Sequence, residues 1–110
     1  VSFATVYSTI IMATPCNGCH SAATKAGGLD MSTQTTAYTN LTTGTSTEPN
    51  CGAKAYVVKA NAAGSLLYQK VVGTTIPTGC GTQMPKNGPP FLTTTQTNLI
   101  QSWINDGALP

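Results

Sequence analysis

Apolar residues in this chain gather into a few short groups separated by long polar stretches. Near the start, Phe3, Val6, Tyr7, Ile10 and Ile11 recur at i, i+3, i+4, i+7 and i+8, the spacing of one helix face. The pattern predicts a helix from Ser2 to Met12, with Ser2 as N-cap. Thr14-Pro15 closes it, because proline disfavours helical backbone in the residue before it. At the far end Leu99, Ile100, Trp103 and Ile104 form a second stripe. Its helix opens near Thr93, where Thr93-Thr94-Thr95-Gln96 resembles a capping box, and Gly107 is a natural stop. Between them, Ser65 caps a third helix through Leu66, Leu67, Tyr68, Val71 and Val72, ended by Gly73.

Weaker signals fill the intervals. Ser32 to Leu41 puts Ala37, Tyr38 and Leu41 on one side of a fourth helix, although threonine is a poor helix former. Ser21 to Lys25 reads as a short helical turn stopped by Gly27-Gly28. Thr42 to Asn50 is a loop by composition, and Cys51 to Lys59 a short extended segment around Ala55, Tyr56, Val57 and Val58. Thr74 to Pro90 is rich in glycine, proline and threonine. Few stretches alternate with period two, so the expected class is all-α despite the threonines. At 110 residues without an internal repeat, the chain is expected to form a single domain, residues 1–110. No apolar run approaches the ~18 residues of a membrane-spanning helix.

Charge changes the picture by its scarcity. Only 7% of residues are charged, against about 25% in ordinary domains. The formal net charge is +2, which argues against nucleic-acid binding, where many Lys and Arg form a basic patch.

The candidate chemistry lies in Cys16-Asn17-Gly18-Cys19-His20. C-x-x-C-H is the pattern of covalent c-type haem attachment. The thiols of Cys16 and Cys19 add across the two haem vinyl groups, and His20 lies under the iron as proximal ligand. Asn17 and Gly18 are small enough for the macrocycle to approach the backbone. C-x-x-C by itself also fits a thioredoxin-like dithiol or half of a zinc site. The first wants a βαβ context that the flanks lack. The second wants another ligand pair, whereas Cys51 and Cys80 stand alone. A bound haem would enlarge the core of a chain that is only 6% aromatic, and two propionates would bring the net charge near zero.

Two thioethers leave Cys51 and Cys80, an even remainder that suggests one disulfide in an exported protein. Closing that loop stabilises by about 3–4 kcal/mol in the chain-entropy model. Haem attachment takes place outside the cytoplasm. The expectation is therefore a periplasmic or extracellular bacterial protein whose leader is absent from this chain. Asn40-Leu41-Thr42 matches a glycosylation sequon and is read as chance.

The second axial ligand is sought among Met12, Met31 and Met84. Met12 precedes the motif and is expected in the core; Met31 is expected to pack. Met84 sits in a loop stiffened by Pro85, Pro89 and Pro90, which can hold a thioether on iron at little entropic cost. His20/Met84 ligation would raise the reduction potential over bis-His and leave no open position for oxygen or peroxide.

The order of N-terminal helix, Cys16-x-x-Cys19-His20, Met84-Pro85 loop and C-terminal helix resembles class I monohaem cytochrome c. More narrowly, five segments together look like the planctomycete-type cytochrome c domain. They are Cys16 to His20, Gly27-Gly28-Leu29-Asp30-Met31, Ser65 to Val71, Met84-Pro85 with Gly88-Pro89-Pro90, and Trp103-Ile104-Asn105-Asp106-Gly107-Ala108. The resemblance implies an all-α fold of small helices and long loops around one haem c. It also implies crossing terminal helices, with Phe3 and Tyr7 near a core Trp103. The Cys51/Cys80 pair and the replacement of charge by threonine depart from the usual pattern.

The leading functional expectation is an electron carrier rather than an enzyme, docking redox proteins over the haem edge, with Lys25 and Lys86 as candidate steering charges. Two alternatives stand beside it. One is a subunit of a cytochrome assembly or surface filament, partnered by other cytochromes or by itself. The other is a small-ligand sensor or peroxidase domain, which no second histidine or arginine supports.

Overall fold

The computed structural model describes residues 1–14 and 16–110. Every regular element among them is a helix. They are α1 (Phe3–Val6), a π-helical continuation (Tyr7–Ile11), α2 (Cys16–Cys19), a 3-10 turn (Ala26–Gly28), α3 (Gln34–Thr43), α4 (Leu66–Val72) and α5 (Thr94–Asn105). No strand forms among the described residues; a single antiparallel bridge joins Thr45 to Ala55. The expected extended segment from Cys51 thus contributes one bridge, flanked by Ser46 N–H to Lys54 O at 2.8 Å and Tyr56 N–H to Gly44 O at 3.2 Å. The chain is all-α and compact, with a radius of gyration of 12.4 Å.

The N-terminal stripe folds as its spacing requires. Phe3, Val6, Tyr7, Ile10 and Ile11 are all buried, and the Ser2 hydroxyl accepts from Thr5 N–H. Pro15, expected to close this helix, lies outside the described residues. Met12 corrects the expectation of a core residue. It falls one position past the Ile10–Ile11 pair, off the stripe, and is 57% exposed.

α5 carries the expected capping box, with Thr93 and Gln96 bonded reciprocally. Ile100, Trp103 and Ile104 are buried on its inner face, and Leu99 packs at the margin. Gly107 turns the chain at a φ of 107°, and Ala108 N–H returns to Trp103 O at 2.9 Å. α1 packs on α5, with the Phe3 and Trp103 rings 5.0 Å apart, and α5 packs on α4.

α3 runs to Thr43, two residues beyond the expected end, and buries Ala37 and Leu41. Its threonines are reconciled with the helix by bonding back one turn, Thr42 Oγ1 to Tyr38 O at 2.7 Å and Thr43 Oγ1 to Thr39 O at 2.6 Å. Ser21 to Lys25 makes a single turn closed by Lys25 N–H to Ser21 O. Gly27 and Gly28 then belong to the 3-10 turn instead of terminating a helix, both at positive φ.

Ser65 occupies the N-cap position of α4 without capping it. Its buried hydroxyl accepts from Val58 N–H at 2.8 Å and donates to Asn61 O at 2.8 Å, fixing the turn before the helix.

Candidate functional site

The segment Cys16–Cys19 forms one helical turn, and His20 N–H bonds to Cys16 O at 3.0 Å to continue it. Positions three apart on a helix share a side, so the turn presents both thiols to one region. Cys16 is half-buried and Cys19 exposed, and neither is disulfide-bonded. Burial pushes the Cys16 thiol up, and a hydrogen-bond contact with the Thr14 hydroxyl at 2.8 Å opposes that shift.

Cys16, Cys19, His20 and Met84 all line one cavity of about 300 Å³ that opens to solvent. Its inner wall is apolar and continuous with the core, through Leu29, Met31, Leu41 and Val71. Met31 meets the expectation of packing, and it also faces the cavity. Its N–H bonds to His20 O, and its carbonyl accepts from Tyr7 Oη at 3.2 Å, so the step after the motif is tied to the first helix. His20 is half-buried, and its Nδ1 is buried with no hydrogen-bond partner among the described residues. A buried ring nitrogen left unpaired costs about 1–3 kcal/mol.

The wall facing solvent is polar, with Glu48, Lys70, Lys86 and Asn87. Burial pushes the Lys70 ammonium down; Glu48 opposes this and Lys86 adds to it. Lys70 Nζ donates to Cys80 O. Cys80 also lines the cavity, and its sulfur lies 1.95 Å from that of Cys51, at disulfide distance. Lys86 is exposed at the rim and Lys25 is exposed.

Met84 reaches the cavity on a loop without regular structure, and its holding contacts were not legible in the sequence. Met84 N–H bonds to Lys70 O at 2.9 Å. Gln83 Nε2 donates to Val71 O at 3.2 Å and Val72 O at 3.3 Å. Gln83 gave no motif signal; its position directly before the candidate ligand is the only hint.

Among the described residues, no three or more His, Cys, Asp or Glu side chains gather to hold a metal ion. A zinc site made by the chain alone is therefore not assembled at the motif. The dithiol alternative lacks its βαβ setting, and its first thiol is raised where a redox cysteine is lowered. Two free thiols, one imidazole and one thioether instead line the wall of one apolar cavity, the residue types by which a chain would tether and ligate a haem. The sequon is set aside on geometry as well, since Asn40 lies inside α3 with its amide donated to Asp30 O at 2.9 Å. No family model matches the chain, and no curated protein or solved structure matches it.

Proposed function

We propose that this protein is a one-electron carrier that would hold one haem c through thioethers to Cys16 and Cys19, with His20 and Met84 as the residues that would hold its iron. One observation carries the reading. The motif near the start of the chain and Met84, more than sixty residues later, line the same apolar cavity. When bound, the haem would supply a one-electron ferric/ferrous couple. The chain's part is to bind and orient. Cys16 and Cys19 tether one edge, His20 offers an imidazole nitrogen, and Met84 offers its sulfur. Leu29, Leu41 and Val71 exclude water from the inner face. If His20 and Met84 both held the iron, the protein would leave oxygen or peroxide no place to bind, which favours a carrier over a sensor or peroxidase.

The packing of α1 on α5, with Phe3 against Trp103, supports the finer reading of a class I cytochrome c fold. The Cys51–Cys80 pairing and the thioether chemistry both favour an oxidising compartment, so the protein is read as periplasmic or extracellular. Partners are other redox proteins, reached over the cavity mouth where Lys86 is exposed.

The test is an intact mass and a visible spectrum of the natively matured protein. The expected mass is polypeptide plus one haem, stable to denaturation, and the expected ferric spectrum carries a weak far-red band from sulfur on iron. A colourless protein with the bare polypeptide mass would end this reading.

A further inference from the structure

We infer that Gln83 is the positioning residue that keeps the Met84 sulfur on the iron, and that this task requires position 73 to be without a side chain; the inference rests on the His20/Met84 reading. A helix ends with carbonyls that have no partner of their own. In α4 those carbonyls are answered by the Met84 loop. Lys70 O takes Met84 N–H, and Val71 O and Val72 O take the two-donor amide of Gln83. The methionine therefore does not hang from a free loop. It is the next residue after a side chain clasped to the end of a packed helix.

Gly73 makes the clasp possible. It ends α4 in the left-handed region, at a φ of 85°, and a Cβ there would run into the Gln83 amide. Gly107 is the natural comparison. Its φ of 107° strains any side chain as well, but a Cβ there meets nothing within 4 Å, and it lies beyond α5.

A ligand from solution competes with Met84 in proportion to how readily the thioether leaves. The experiment titrates imidazole into the ferric holoprotein and follows loss of the far-red band. Gln83→Ala removes two hydrogen bonds from the clasp, and the apparent imidazole affinity is expected to rise about tenfold. Gly73→Ala is expected to raise it similarly, and the double variant by no more than either alone, because both release the same amide. Gly107→Ala is expected to lower stability while leaving imidazole affinity at the wild-type value. Should Gln83→Ala give no holoprotein, Gly73→Ala alone decides. A wild-type protein with the far-red band whose Gln83→Ala and Gly73→Ala forms bind imidazole within twofold of it would overturn the clasp and leave the haem reading standing. A wild-type holoprotein without that band would overturn Met84 ligation and the clasp together.

Discussion

At the scale of single residues, chemistry in this chain is set by neighbours as much as by residue type. Cys16 and Cys19 are the same side chain three positions apart, yet they sit in different surroundings. Cys16 is half-buried, with its thiol pushed up by burial, while Cys19 is exposed. Thiolate is the reactive form, so in unmatured polypeptide iodoacetamide is expected to modify Cys19 several-fold faster than Cys16. Peptide mapping after timed quenching checks this; equal rates would contradict the asymmetry. The motif itself was fully legible, because five adjacent residues need no fold to be brought together. Met84 was legible from the prolines that follow it. Gln83 and Lys70 were not, because a hydrogen bond to the end of α4 is a property of two segments.

At the scale of elements, spacing and local bonding can be separated. The stripes of α1 and α5 follow from periodicity alone, since an apolar face of that width must be buried somewhere. The capping box at Thr93 is also local and was readable. Ser65 shows the limit: it stands at the right place for a cap, yet its hydroxyl serves Val58 and Asn61 in the preceding turn. Thr93 is exposed and Ser65 fully buried, so the two serve as matched probes. Thr93→Ala is expected to cost about 1 kcal/mol. Ser65→Ala removes a fully buried hydroxyl that bonds the part-buried Val58 N–H and Asn61 O, and is expected to cost more, about 1–3 kcal/mol. Urea melts of the two variants decide it; a smaller loss for Ser65→Ala would refute the assignment of its hydroxyl. Met12 missed the core for a similar reason. Nearness to the motif said nothing about the helix face on which it lies.

At the scale of the whole molecule, the core is in two parts. The larger joins α1, α5 and the inner wall of the cavity, and the smaller is Cys51, Leu66 and Cys80 with Tyr56 and Ile76 beside them. The bridge between Cys51 and Cys80 closes a sequence separation of 29 residues. Replacing both cysteines by serine is expected to lower stability by about 3–4 kcal/mol through the freedom returned to the unfolded chain. The near-ultraviolet circular dichroism of Trp103 should persist at low denaturant, because Phe3 and Trp103 belong to the larger cluster. An unchanged denaturation midpoint would show that the loop is already restrained without the bridge.

The sequence alone determined the apolar stripes of the terminal helices, the capping box at Thr93 and the adjacent thiols and imidazole of the Cys16–His20 motif. Each of those follows from interactions within about one or two turns of chain. Cysteine counting suggested that Cys51 meets Cys80; only the tertiary structure decided that Cys16, Cys19, His20 and Met84 line one cavity and that Gln83 closes the end of α4. Those contacts join residues whose separation along the chain carries no local signal. Whether they form depends on how the helices pack, which periodicity does not encode.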